Sequence, residues 1–216
     1  MPNVKQLQIP AVPSFSSSTE QYSAETQNQN LNVLRLFFVN LVNILSNLIG
    51  PNGGAYMNTP YGAFQDSTDQ VAANTTTAYA ITFNTTDYSN AITLSNSSRL
   101  NVANSGLYNI QFSIQLKNTT NDGQDVDIWF RKNGTNIANS NSRFHLVARK
   151  GTGDPSHIIA ALNFFVDMAA NDYIEIVWRT ENTGVSIEAF GTSTSPTRPA
   201  VPSVIATMTF VSSIAT

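Results

Sequence analysis

GLYNIQFSIQLK, residues 106–117, sets Tyr108, Ile110, Phe112, Ile114 and Leu116 at alternate positions, with Asn109, Gln111, Ser113, Gln115 and Lys117 between them. Successive side chains of an extended strand point to opposite faces, so this segment is apolar on one side and polar on the other. It reads as a strand with one buried face. The same alternation recurs in DVDIWFRK (Val126, Ile128, Phe130), HIIAALNFFV (Ile158, Ala160, Leu162, Phe164, Val166) and DYIEIVWR (Ile174, Ile176, Trp178). It returns in VSIEAF (Val185, Ile187) and SVIATMTF (Val204, Ala206, Met208, Phe210), and shorter strands fit residues 79–83 and 91–94. Turn chemistry separates the long runs at Asn121-Asp122-Gly123, at Lys132-Asn133-Gly134-Thr135, across residues 151–155, and at Asn182-Thr183-Gly184. Many short strands with no helices between them predict a mainly β fold, an antiparallel β-sandwich or jelly roll, over residues 61–216.

Upstream the period changes. Residues 1–20 carry Pro2, Pro10 and Pro13 and then a Ser/Thr cluster, the composition of an extended arm with no core of its own. Residues 21–50 predict one amphipathic helix, entered through hydroxyls that cap free N–H groups between Ser17 and Ser23 and ended by Gly50-Pro51. Leu31, Leu34, Phe38, Leu41, Leu45 and Leu48 follow alternating spacings of three and four, the a and d positions of a coiled coil. Phe37, Val42, Ile44 and Ile49 widen the stripe, which suits more than two helices or burial against the chain's own core. Residues 51–60 form a turn and linker. The apolar run 31–49 nears the roughly 20 residues of a membrane span. Arg35, Asn32, Asn40, Asn43 and Asn47 are costly in hydrocarbon, so membrane insertion is not expected. No secretory signal is visible at the amino terminus.

Charged residues make up 12% of the chain and the formal net charge is −3, which leaves no basic field for a nucleic acid. There are no cysteines, so packing and association have to supply the stability. The two histidines, His145 and His157, have no nucleophile motif beside them. No metalloprotease, Walker or paired-glycine phosphate motif occurs. No enzyme activity, catalytic residue or cofactor is expected. Asp122, Asp125 and Asp127 in NDGQDVD could offer oxygen ligands to Ca²⁺, but a solvated hairpin turn fits their spacing better. The Asn-x-Ser/Thr triplets at Asn84, Asn96 and Asn118 carry no weight in so Asn- and Thr-rich a chain. Trp129 falls on the polar face of its strand, either as an exposed contact or covered by a loop of its own subunit.

GLYNIQFSIQL resembles the glycine-x-tyrosine strand of the complement C1q globular head and tumour-necrosis-factor superfamily. NFFVDMAANDYIEIVW resembles that family's pair of apolar strands joined at a Gly-Asp step, with Asn171 in place of glycine before Asp172, and SVIATMTFV resembles its final strand, which lies beside the first. The likeness spans roughly residues 60–212. The longer pattern SSRLxVxxSGLYNIQFSIQ…VDIWFRKNG is similar to small virion structural proteins of tailed bacteriophages, especially those of marine cyanobacterial phages. These resemblances imply a C1q/TNF-like jelly roll, a homotrimer, a helical coiled-coil stem and an arm that docks on capsid or other virion proteins.

Alternation also fixes which apolar side chains point out of the sandwich. With Ile158, Leu162, Phe164 and Val166 inside, Ile159 and Phe165 point out; with Val204, Ala206, Met208 and Phe210 inside, so do Ile205 and Val211. In the family resembled, these two strands belong to the sheet around the threefold axis, so Ile159, Phe165, Ile205 and Val211 are expected at subunit contacts, with the helix positions from Leu31 to Leu48. The function so expected is a trimeric capsid decoration protein or short head fibre with an outward-facing head, located in the virion after assembly in the host cytoplasm. A tail-fibre tip that binds a host surface receptor or glycan, and a soluble C1q-like adhesion or signalling module, are the alternatives.

Overall fold

A computed structural model describes residues 10–16, 23–49 and 58–213 of the 216-residue chain. The chain divides into two compact units, Met1–Asn58 and Thr59–Thr216. In the first, α1 (Ala24–Ile49) is an unbroken helix. Ser23 caps it: its Oγ accepts a hydrogen bond from Thr26 N at 3.3 Å, and Glu25 stands in the first turn, where a negative charge favours the helix dipole. Ser16 N donates to Asn30 Oδ1 at 3.1 Å, which ties residues of the predicted arm to the helix. Leu34, Phe37, Leu41 and Ile44 form a half-buried row, while Leu31, Phe38, Leu45 and Leu48 are exposed. Residues 24–48 are long and apolar enough to cross a membrane, with a mean hydropathy of 1.5, and none of that stretch is buried. Residues 1–9 of the expected arm, the approach to the cap at 17–22, and the expected stop and linker at 50–57 lie outside the described residues.

The second unit is built from strands. In chain order they are β1 (Tyr61–Asp66), β2 (Gln70–Val71), β3 (Tyr79–Ala80), β4 (Thr85–Asn90), β5 (Ile92–Ser95), β6 (Arg99–Val102), β7 (Gly106–Asn118) and β8 (Gln124–Lys132). There follow β9 (Thr135–Asn136), β10 (Ser142–Leu146), β11 (Ser156–Met168), β12 (Tyr173–Thr180), β13 (Val185–Ile187), β14 (Ser193–Thr194), β15 (Thr197–Arg198) and β16 (Val204–Ser212).

The quoted strand β7 is the centre of the first sheet. β11 pairs along its whole length on one side, from Ser156 opposite Asn118 to Met168 opposite Gly106. On its other side β13 and then β16 pair in succession. β2 extends the sheet from β13, and β1 and β4 extend it from β16. The last long strand therefore lies beside the first, with Val204 opposite Asp66. The second sheet runs β10-β8-β12-β6-β5, with β9 beside β8 and β3 beside β12. Every pairing between these named strands is antiparallel.

The two sheets share one apolar core, which makes the fold sandwich-like. Phe112 of β7 lies 5.9 Å from Phe130 of β8, and Phe130 in turn stacks on Phe164 of β11 at 5.0 Å between ring centroids. Tyr108, Ile110, Ile114, Leu116, Val126, Ile128, Ile174, Trp178, Val204 and Met208 are all buried, on the faces that alternation assigned to the core. Each fully buried side chain of this size contributes about 1.5–3 kcal/mol.

Three readings need correction. The turn at 119–123, read as a hairpin, does not close one: like the connections at 151–155, 169–172 and 181–184, it joins a strand of one sheet to a strand of the other. Alternation marks the buried face but not the partner strand, so it cannot tell a hairpin from a crossing. Of the turns named, Lys132-Asn133-Gly134-Thr135 does close a hairpin, with both central residues at positive φ (49° and 81°) as a two-residue turn of that hand requires. Strand β12, expected to be half-buried, is buried on both faces from Ile174 to Trp178. Val177 is fully covered, and Glu175 accepts from Ser98 Oγ at 2.9 Å and lies 3.5 Å from Arg99. In 79–83 only the first two residues pair as a strand, although Ile81 and Phe83 still reach the core.

Candidate functional site

The outer face of the first sheet carries the residues that alternation turned outward. Across it run the rows Phe165–Asn109–Thr209, Asn163–Gln111–Thr207 and Ala161–Ser113–Ile205, and Ile159 stands opposite Gln115. Ile159 is 61% exposed, Phe165 54%, Ile205 43% and Val211 46%. Val211 is the bulged residue where β16 slips its register against β7. Tyr61 and Tyr88 on β1 and β4 extend the patch, Tyr88 lying opposite Ala63. Apolar side chains thus flank a polar middle, where Asn109 Oδ1 is buried with no hydrogen-bond partner among the described residues. A shallow cavity of about 200 Å³ opens there between Gln111, Ser113, Ile205 and Thr207.

At one end of this face Glu188 binds Lys117 Nζ through Oε1 and stands 2.8 Å from His157 Nε2 through Oε2. Burial pushes the Glu188 carboxyl up, but the hydrogen bonds from Lys117 and His157 outweigh it and hold the group below the usual carboxylate range. His157 also meets the Phe190 ring edge to face at 5.5 Å.

A second site lies on the outer face of the second sheet, around Trp129. The β8–β9 hairpin brings Asn136 back over the strand, so that its Oδ1 accepts from Trp129 Nε1 at 2.9 Å and from Arg131 Nε at 3.3 Å. Trp129 is half-buried: the chain's own loop covers part of it and part lines an open groove of about 340 Å³. Asp127, Asn136, Ile137, Asn139, Asn141 and Arg179 line it together with the indole.

Asp127 is the centre of a cross-strand triad. It stands opposite Arg143 on β10 and Arg179 on β12. Arg143 donates from Nε at 2.9 Å and from a terminal nitrogen at 3.0 Å, and Arg179 donates at 3.2 Å. The hydrogen bond from Arg143 outweighs the effect of burial, and the Asp127 carboxyl is held below its ordinary range. Asp125 faces His145, whose Nδ1 is 2.7 Å away, and Asp122 lies in the crossing loop. Of the three aspartates considered for calcium, Asp125 and Asp127 face cationic side chains and share Arg143, and among the described residues no group of three His, Cys, Asp or Glu side chains is placed to hold a metal ion.

Asn118 is fully buried. Its amide nitrogen donates to Asp122 O and Val147 O at 2.9 Å each, and its Oδ1 accepts from Thr120 N and Thr120 Oγ1 at 2.8 Å each. It is a fastener for the loops at the end of β7, not a glycan acceptor. Neither the arginine triad nor this fastener was legible beforehand, because both depend on which strands become neighbours. The parity of Asp127 and Trp129 on β8 was the one signal available.

No protein-family model matches the chain, and no curated protein matches it.

Proposed function

We propose that the chain is a structural subunit of a bacteriophage virion, a homotrimeric capsid decoration protein or short head fibre with a C1q/TNF-like jelly-roll head. The observation that carries the self-association is the outer face of the first sheet. Ile159, Phe165, Ile205 and Val211 on one face, with Tyr88 beside them, set exposed apolar side chains around a polar middle, a surface that suits burial by further copies. The exposed row Leu31, Phe38, Leu45 and Leu48 offers a second seam of the coiled-coil kind. The strand orders β11-β7-β16-β1-β4 and β10-β8-β12-β6-β5 support the jelly-roll reading, since consecutive long strands alternate between the sheets. The virion assignment rests on the resemblance of residues 97–134 to phage structural proteins. In this reading the arm docks on another virion protein, the head faces outward, assembly takes place in the host cytoplasm, and neither nucleic acid, membrane insertion nor catalysis is involved.

Light scattering on the purified protein tests the oligomer: a mass of three chains supports the reading, and a stable monomer at micromolar concentration overturns it. Deleting residues 1–20 should leave a folded trimer that no longer joins its particle, whereas normal incorporation would remove the docking role. A second reading, a receptor-binding tip of a tail fibre, is favoured by the open groove at Trp129. Copy number in purified particles, by quantitative mass spectrometry, separates the two.

A further inference from the structure

We propose that the groove at Trp129 is a carbohydrate-binding site that takes a neutral pyranose, with the flat C–H face of the sugar ring on the indole. The inference needs one chain only and stands whether or not the chain trimerises.

Three features point to this chemistry. First, the indole is held in place from its edge. Its N–H is committed to Asn136 Oδ1 at 2.9 Å, so what Trp129 presents to the groove is apolar ring surface, fixed before a ligand arrives. Second, free amide groups stand at the rim. Among the described residues Asn139 has no hydrogen-bond partner, and Asn141 uses only its nitrogen, in a long contact of 3.5 Å to Asp127. A side-chain amide can donate and accept together, which matches adjacent ring hydroxyls. Third, charge is cancelled inside the site. Both arginines are bound to Asp127; Arg179 also lies 3.6 Å from Glu181, and Arg143 lies 3.6 Å from Asp125. Arg179, the one cation among the lining residues, is thus ion-paired and with Asp127 offers fixed polar atoms to a ligand, while Arg131, outside the lining, donates to Asn136 Oδ1. The groove of about 340 Å³ is open, which suits one or two sugar units of a longer chain better than an enclosed small molecule.

The chain has two tryptophans, and Trp178 is buried to 1% exposure in the core, so a change in emission on adding a sugar reports Trp129. Maltotriose, cellotriose, mannotriose and chitotriose would each be titrated against the full-length protein, with saturation-transfer NMR as a second readout. Saturable binding of at least one, with a Kd on the order of 1 mM, is expected. Trp129→Ala should abolish it. Asn139→Gly keeps a backbone that tolerates the φ of 61° at this position, removes only the amide, and should weaken binding about tenfold with no change in melting temperature. Absence of a saturable response to all four sugars at about 20 mM would overturn the proposal. So would binding that survives Trp129→Ala while near-ultraviolet dichroism shows a folded protein, and so would a response confined to sulfated or sialylated oligosaccharides.

Discussion

A Cβ placed on Gly106 would lie 2.3 Å from Cε2 of Phe210 and 2.8 Å from Ser212 O. The first residue of β7 is therefore glycine because the last strand closes across it. Phe210 then packs edge to face on Tyr108 at 5.5 Å, and the Tyr108 hydroxyl donates to Asn104 O at 2.7 Å. The Gly-x-Tyr pattern is one joint between the central and closing strands. Gly106→Ala should lower unfolding stability by roughly 1–3 kcal/mol through this overlap. Urea titration measures it, and a smaller loss for Gly106→Ala in a Phe210→Leu background would identify the ring as the obstacle.

Phe165 stands 54% exposed on the face proposed to meet other copies. Burial of such a side chain at each contact stabilises the assembly by roughly 1.5–3 kcal/mol, and a carboxylate in its place would have to be desolvated. Phe165→Asp should shift the protein from trimer to monomer in light scattering. Asn163→Asp, on the same strand face, should do so much less. A trimer unaffected by Phe165→Asp would place the contact elsewhere.

The carboxyl of Asp127 is held below its ordinary value by Arg143 first and Arg179 after it. A depressed folded pKa means the stabilisation is complete above the unfolded value of about 3.9 and fades as pH falls through the lower folded value. Acid denaturation of the wild-type protein should therefore be steeper below about pH 4 than that of Asp127→Asn, which lacks this titration. At neutral pH the variant should melt at a lower temperature, since Arg143 and Arg179 lose their shared acceptor. Parallel pH–stability curves for the two proteins would show that the triad contributes nothing to the acid limb.

Asn118→Ala removes the group that satisfies two loop carbonyls and two Thr120 donors. Leaving such atoms buried and unpaired costs roughly 1–3 kcal/mol. The loss should appear in urea unfolding, and hydrogen exchange should rise first at residues 119–123 and 147.

The strands were readable because period-two alternation records a buried face: β7 and β8 hide the side chains that this pattern marks, whereas on β11 Ile158, Leu162 and Phe164, and on β16 Phe210, are half-buried against the core. Which strand lies beside which is set by contacts far apart in the chain, and no local period carries that information. The joining of β7 to β8 across the sandwich was lost for this reason, and the Arg143–Asp127–Arg179 triad with it. The outward set of Ile159, Phe165, Ile205 and Val211 was legible because it needed only parity. Trp129 was found by the same parity, but its lid could not be, since Asn136 reaches it through the β8–β9 hairpin. Asn171 was visible as a departure from the family's glycine; its φ of 69° explains why asparagine serves, being tolerant of the left-handed region.

Strand β11 pairs with β7 along one side, and among the described strands no other is hydrogen-bonded to its opposite side. Between His157 and Asp167 it reads IIAALNFFV, with no charge and no proline. A free chain therefore exposes an uncapped template for cross-β growth. Folding to soluble protein competes with filament nucleation, and concentration decides between them. Dilute, slow refolding should yield soluble particles, while the same protein refolded quickly at high concentration should yield thioflavin-positive precipitate nucleated through residues 158–166.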